Sequence, residues 1–339
     1  MRRRSSRWKP LVLYALVAWL PQTLPAETAE ADGPEPAVLD ELELCAAMEN
    51  EIARLACYDA LAAGQPPPPS ESYLERHWDL RDQGKRFRPW PHRPVYVLPA
   101  RWTDAPNTGP FQELAAATGD PERVDVQPVE TKFQISFKTK LLDDFLGGPG
   151  DLWFGFTQQS HFQIYNNSAS RPFRETDYEP EVMLTFPTRR NWGKWSWRMA
   201  GLGVVHQSNG RSEPLSRSWN RIYAVVAGER GPVSIELRPW VRFDSTDPED
   251  DDNPGIADFV GRMEALVVWQ PGRQRLVFRG RSNLELDESR GSLAVDWFFP
   301  IRARLRGQLQ LFTGYGESLI DYDHRQTTVG LGLLLFDPF

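Results

Sequence analysis

Three residues close together in the chain are of the types that could together activate a serine as a nucleophile. His206 and Ser208 are separated by one residue, and Asn220 follows after a polar loop. Side chains alternate between the two faces of a strand, so a strand over 194–208 places His206 and Ser208 on one face. A hairpin with a strand over 219–228 would bring Asn220 beside His206. The spacing therefore predicts a nucleophile, a base and an orienting amide, a constellation that is recognised by its geometry and not by chain order.

The elements that must position these residues are predicted to be β-strands. From about Pro94 to Phe339, segments of roughly ten residues alternate apolar and polar side chains, as transmembrane strands do. One such segment sets Val233, Ile235 and Leu237 against Ser234, Glu236 and Arg238. A soluble β-sandwich also alternates, but the polar faces here carry many Arg and Glu residues that could pair inside a narrow barrel. We predict an all-β fold, a 12-stranded antiparallel transmembrane β-barrel.

The connections between the predicted strands alternate in length. The strands are expected near 94–102, 130–142, 151–163, 176–188, 194–208, 219–228, 232–244, 256–270, 273–284, 292–300, 302–316 and 326–337. Long or polar connections follow the odd members of this series, and short ones follow the even members. Long outer loops and short periplasmic turns give membrane barrels this rhythm. The alternation favours a membrane barrel over a sandwich.

The alternation of long and short connections also predicts where the three residues lie. The strand over 194–208 runs into a long loop, so His206 and Ser208 lie at its outer end. Their face continues towards the other end as Leu202 and Val204, which makes it the apolar face that contacts lipid. Polar side chains on such a row are costly, and they mark a functional site by default. We expect the constellation on the outside wall, near the membrane–water boundary.

The N-terminal part of the chain predicts export. Residues 1–26 combine a basic start, an apolar core over 11–20 and a small-residue cleavage site, which is typical of a signal peptide. The apolar core is too short for a membrane helix, which needs about 20 residues. A helical extension is predicted over 27–64 and a Pro-rich linker over 65–93, followed by the barrel domain over 94–339. We expect the extension to be periplasmic, and the chain up to about residue 93 to be dispensable for catalysis.

Cys45 and Cys57 are the only cysteines, and both belong to the helical extension. A continuous helix would hold their Cα atoms about 18 Å apart, too far for a disulfide. A turn near Asn50 would bring them together, and an exported protein meets an oxidising compartment. We expect a Cys45–Cys57 disulfide within the extension.

Two segments, 156–181 and 203–221, resemble the outer-membrane phospholipase A family of Gram-negative bacteria. The resemblance is most specific over 156–223, continues to the C-terminus and is absent before about 94. It implies a phospholipase A1/A2, with lysophospholipase activity as well, that hydrolyses the acyl esters of phospholipids. It also implies roles: Ser208 attacks the ester, His206 takes its proton, and Asn220 orients His206.

The resemblance further implies a calcium ion and a homodimer. Arg211, through its backbone carbonyl, and Ser216 correspond to calcium ligands of one subunit, and Ser170 to a ligand donated by the other. Glu213 stands where the family usually has Asp, so it could bind calcium directly or through water. Gln158 corresponds to a glutamine that forms hydrogen bonds across the dimer interface. The acidic run over 247–253 is interpreted as a solvated outer loop rather than a second cation site.

Alternatives to this function are a non-catalytic barrel and another surface lipid deacylase. A channel predicts a wide lumen, whereas the inward Arg and Glu residues predict a filled one. The formal net charge is −7, and the chain has no large basic block. Nucleic acid is therefore not expected as a partner, because its binding needs a basic surface.

Overall fold

The chain divides into two compact units, Met1–Pro69 and Ser70–Phe339. The computed structural model describes residues 42, 45–46, 51–64, 72–80, 85–119, 125–145, 147–167, 173–243, 251–302 and 305–337. The predicted signal peptide, 1–26, lies outside these residues. No helix within the described residues is long and apolar enough to cross a membrane.

The first unit contains a helix and a disulfide. Helix α1 is Glu51–Ala62, and Cys57 within it is bonded to Cys45. The two Cα atoms are 5.5 Å apart, well inside the range of a disulfide. The predicted bond is therefore present, although residues 47–50, where the turn was expected, lie outside the described residues.

The described part of the second unit is built from antiparallel strands with three short helices. Its strands are β1 Pro89–Pro91, β2 Val95–Thr103, β3 Val129–Phe145, β4 Gly150–Phe162, β5 Phe173–Trp192, β6 Trp195–Ser208, β7 Ser218–Arg230, β8 Val233–Arg242, β9 Met263–Trp269, β10 Arg275–Ser282, β11 Gly291–Arg302, β12 Leu305–Gly314 and β13 Gln326–Phe336. Its helices are α2 Tyr73–Trp78, α3 Gly109–Thr118 and α4 Ile256–Phe259, and Leu319–Asp321 forms a 3-10 turn.

Strands β2 to β13 close into the predicted 12-stranded barrel. Each pairs with the next along the chain, and β13 pairs with β2 to complete the ring. The short β1 pairs with β3 beside the part of β3 that pairs with β2. Long connections follow β2, β4, β6, β8, β10 and β12, as predicted. The loop after β6 is therefore at the same end of the barrel as the other long loops.

Polar side chains line the inside of the barrel, and apolar ones face outwards. On β3, Ile135 and Phe137 are 47% and 38% exposed, whereas Lys132, Lys138 and Lys140 are buried. Many of the inward charges are paired, as where Lys132 donates to Glu317. Buried and largely paired side chains in the lumen agree with the expected filled interior.

The barrel interior also holds helix α2. Its Leu74 and Trp78 are each 1% exposed. Lys138 Nζ lies 3.5 Å from the centroid of the Trp78 ring, which is within the range of a cation–π contact. Asp79, directly after the helix, pairs with Lys140 at 2.7 Å. The helix therefore fills part of the lumen with both packing and charge contacts.

This helix changes the predicted domain boundary. The linker was expected over 65–93 and the barrel domain over 94–339, whereas the barrel unit begins at Ser70. The difference has a physical reason: the apolar positions of α2 are buried by strands that follow much later in the chain. Dispensability for catalysis stays a prediction, and we restrict it to the residues before Ser70 because loss of α2 would remove buried contacts from the barrel.

One predicted strand is shorter than expected. The strand predicted over 256–270 begins only at Met263, and its first part is helix α4. Gly255 precedes this helix with a φ of 74°, a left-handed conformation that glycine adopts readily. Ile256 and Val260, one helical turn apart, are both buried. The alternation that predicted this strand starts at Asp258 and Phe259, which lie in the helix.

Candidate active site

Strands β6 and β7 bring the three hydrolase residues together. Their antiparallel register sets His206 opposite Asn220 and Ser208 opposite Ser218. Leu202, two pairs from His206 on the same face, is 56% exposed. The site therefore lies on the outer, apolar wall of the barrel, at the end where the long loops emerge, as the sequence predicts.

A hydrogen bond orients the histidine ring. His206 Nδ1 lies 2.8 Å from Asn220 Oδ1. An amide oxygen can only accept, so Nδ1 carries the proton and Nε2 keeps its lone pair. A free Nε2 lone pair is what a general base uses to take a serine proton. The arrangement supplies the tautomer that the predicted role of His206 requires.

Gln158 belongs to the same outward row as Ser208. It lies opposite Tyr178 of β5, and Tyr178 lies opposite Ser208 of β6. The Gln158 amide donates from Nε2 to Ser160 Oγ at 3.3 Å. The structure thus puts Gln158 two strands away from Ser208 on the outside wall, where the predicted interface residue has to be.

The loop between β6 and β7 is organised by Asn209, which the sequence analysis did not single out. The side-chain Oδ1 of Asn209 accepts from the backbone N–H groups of Arg211 and Arg217 at 3.2 and 3.0 Å. Its Nδ2 donates to Glu175 at 2.9 Å and to the Leu215 carbonyl at 2.7 Å. One amide therefore ties together both ends of the loop. The only sequence signal that could have singled out Asn209 is its residue type, because Asn is common in turns.

The side chain of Arg211 is anchored to β5. Its guanidinium donates to the carbonyls of Phe173 and Arg174 at 3.0 and 2.6 Å. It also pairs with Glu175, whose Oε2 lies 3.2 Å from Arg211 Nε. These three contacts hold the residue whose backbone carbonyl is a predicted calcium ligand.

Oxygen-bearing side chains gather at the other end of this loop. Ser216 Oγ donates to Asp252 Oδ2 at 2.7 Å, and Ser218 Oγ lies 3.4 Å from the same oxygen. Partial burial, together with the hydrogen bond and the like charge of Asp252, raises the pKa of the Glu213 carboxyl. Residue 252 was expected in a solvated loop, so its packing against Ser216 differs from that interpretation. Among the described residues, no three His, Cys, Asp or Glu side chains form a metal-binding cluster.

Of the predicted calcium ligands, Ser170 lies outside the described residues. Arg211, Glu213 and Ser216 share one loop, and Asp252 joins them from the connection between β8 and β9. Calcium takes six to eight oxygen ligands, including carboxylates, carbonyls and water. The donors present, carboxylate, carbonyl and hydroxyl oxygens, fit that preference.

Comparison with known proteins identifies the family of this chain. Residues 74–335 match the family model described as Phospholipase A1. The chain belongs to the phospholipase A1 family. A phospholipase A1 of Klebsiella pneumoniae is 38% identical over 260 residues, which cover 77% of this chain and 86% of the relative. A Neisseria meningitidis relative is 40% identical over 252 residues, 73% of this chain and 65% of that protein.

A solved structure is similar to the barrel of this phospholipase A1 family member. The Salmonella typhi outer membrane phospholipase, a dimer with bound calcium, superposes with a TM-score of 0.69 at 33% identity. The match covers 79% of this chain and 100% of that chain. The predicted class, an outer-membrane phospholipid ester hydrolase, is confirmed at the level of the family. The family match begins at residue 74, earlier than the resemblance at about 94, and it includes helix α2.

Proposed function

We propose that this protein hydrolyses phospholipid acyl esters at the outer face of the outer membrane, with Ser208 as nucleophile, His206 as base and Asn220 as orienting residue. The observation that carries the proposal is the 2.8 Å bond from His206 Nδ1 to Asn220 Oδ1 on the lipid-facing wall. We include both acyl positions and lysophospholipids among the substrates. A lipid lying against the exposed Val204 and Ile222 side chains would bring its ester to the end of β6.

The proposed reaction has two steps. Ser208 Oγ attacks the ester carbonyl carbon while His206 Nε2 takes the hydroxyl proton, because serine is a weak nucleophile without an adjacent base. Collapse of the tetrahedral intermediate breaks the ester bond, and the leaving alkoxide takes the proton from Nε2. Water then attacks the acyl-enzyme, His206 takes its proton, and fatty acid is released as Ser208 is restored. The neutral amide of Asn220 orients His206 without placing an unpaired carboxylate beside lipid, where such a charge is costly.

Calcium and a second copy of the chain complete the proposed enzyme. Arg211 through its carbonyl, Ser216, Glu213 and Asp252 would hold the ion, with Ser170 donated by the second copy. A bound divalent cation supplies electrostatic stabilisation of the negative charge that develops on the ester oxygen. The donor oxygens of the loop after β6 support this part of the proposal.

Gln158 supports the homodimer. An amide on a lipid-facing row is poorly satisfied in hydrocarbon, and pairing between two copies would satisfy it. The row that joins Gln158 to Ser208 through Tyr178 would bring such an interface close to each nucleophile. The dimeric state of the Salmonella typhi relative agrees with this arrangement.

The test is fatty-acid release from phospholipid micelles by the purified protein, with calcium and with a chelator. Ser208→Ala and His206→Ala should each abolish release and still give a folded, heat-modifiable barrel. Ser196→Ala, at the opposite end of the same strand, is the matched control and should stay active. Full activity of folded Ser208→Ala would exclude serine catalysis, and full activity of a monomer in chelator would exclude the calcium and dimer roles.

A further inference from the structure

A carboxylate inside the barrel contacts the loop between β6 and β7. Glu175 lies on β5 opposite His161 and is 0% exposed. Its Oε1 accepts from Asn209 Nδ2 at 2.9 Å, and its Oε2 lies 3.2 Å from Arg211 Nε. Both oxygens of this one carboxylate therefore contact residues of the loop between β6 and β7.

We propose that Glu175 is a positioning residue that sets the calcium affinity of this loop from inside the barrel. This inference rests on the proposed function, because Arg211 is expected to bind calcium through its backbone carbonyl. Glu175 does not touch the ion in this arrangement. It acts through the side chains of Asn209 and Arg211.

The contacts of Arg211 explain how the position of its carbonyl is held. Its guanidinium meets the Phe173 and Arg174 carbonyls as well as Glu175, while its backbone N–H donates to Asn209. The residue is thus constrained from both its side chain and its backbone. A calcium site built from few protein oxygens depends on such pre-organisation, because ordering the loop on binding lowers the affinity.

Electrostatic repulsion is a second reason why loss of Glu175 should weaken calcium binding. Glu175 Oε2 lies 3.2 Å from the guanidinium Nε of Arg211, and the backbone carbonyl of Arg211 would face a divalent cation. Without Glu175 the guanidinium keeps its two carbonyl contacts but loses the acidic group beside it, and a positive charge next to the proposed ion repels it. Loss of positioning and added repulsion both weaken calcium binding. Removing a partner that orients a metal ligand typically costs about 10- to 100-fold in metal affinity.

The experiment uses the full-length protein in detergent micelles and measures calcium binding directly by calorimetry, alongside kcat at saturating calcium. Glu175→Gln should raise the calcium concentration for half-saturation about 10- to 100-fold, with kcat at saturating calcium changed by less than about 3-fold. Glu175→Asp should give a smaller shift, because its shorter carboxylate keeps the charge. The shift in affinity at constant kcat separates positioning from a general loss of structure.

Glu181→Gln is the matched control. Glu181 is on the same strand and face and is 2% exposed, but its partners are His92 and Arg238, outside the loop. It should lower stability without changing calcium affinity. If Glu175→Gln does not fold, Arg211→Gln removes the other end of the same ion pair and should shift half-saturation in the same direction by a smaller factor, because it loses the positioning contacts without adding repulsion.

The outcomes separate this inference from the proposed function. Wild-type protein that neither binds nor needs calcium would contradict the proposed function itself. Wild-type protein that binds calcium, together with a folded Glu175→Gln or Arg211→Gln variant of equal affinity, would overturn the role of Glu175 alone. An equal shift in Glu181→Gln would also overturn it, because the effect would then not depend on the loop.

Discussion

Asn220→Ala should lower kcat about 10- to 150-fold. The change removes the oxygen that accepts from His206 Nδ1 at 2.8 Å. In the proposed mechanism this bond becomes charge-assisted, because His206 would carry the serine proton as an imidazolium. Hydrogen bonds to charged groups contribute about 1.5–3 kcal/mol, and about 1.4 kcal/mol corresponds to a factor of ten in rate.

The loss should be smaller than that in Ser208→Ala, which removes the nucleophile. We expect at least about 1000-fold for Ser208→Ala. Without its acceptor, the His206 ring still reaches the right tautomer part of the time, so Asn220→Ala keeps measurable activity. Initial rates of fatty-acid release at saturating calcium give kcat, and heat-modifiable migration shows that each barrel is folded.

Asn220→Asp is the control for orientation. The carboxylate keeps the accepting oxygen, so most of the orienting effect should remain. The added negative charge would also stabilise the imidazolium of the proposed mechanism, so kcat should stay closer to the wild-type value than in Asn220→Ala. A folded Asn220→Ala variant within about 3-fold of the wild-type kcat, or as inactive as Ser208→Ala, would refute the orienting role.

The remaining predictions concern calcium and the N-terminal part of the chain. Ser216→Ala should raise the calcium needed for half activity about 10-fold; an unchanged titration would remove this hydroxyl from the site. Calcium affinity should fall as the pH is lowered into the range just above the ordinary glutamate pKa. The reason is that the pKa of Glu213 is raised, so a proton competes with the ion in that range. Calorimetry of Glu213→Gln should show a weaker dependence of calcium affinity on pH. Deletion of 27–69 should leave activity and unfolding unchanged, whereas Trp78→Ala, at a side chain 1% exposed, should lower the free energy of unfolding by about 3–5 kcal/mol. Urea unfolding in micelles checks both changes, and an unaltered midpoint in Trp78→Ala would contradict the packing of helix α2.

Much of the fold and part of the site were readable from local patterns. Strand alternation and the rhythm of long and short connections predicted twelve strands and their direction, because both depend only on neighbouring residues. The pairing of His206 with Asn220 followed from the same local reasoning, since a hairpin joins adjacent strands. The prediction was wrong where the alternation was extended into a helix, over 256–259.

Contacts between distant parts of the chain were decided only by the tertiary structure. Trp78 lies in the lumen, where its ring contacts Lys138 of β3, a residue 60 positions later in the chain. Glu175 and Asn209 meet across 34 positions, and Ser216 and Asp252 across 36. No local pattern encodes such pairs, because closing the barrel brings their strands and loops together. The sequence by itself therefore determined the barrel and the hairpin that holds the proposed catalytic residues, whereas barrel closure determined what fills the lumen and what supports the loop between β6 and β7.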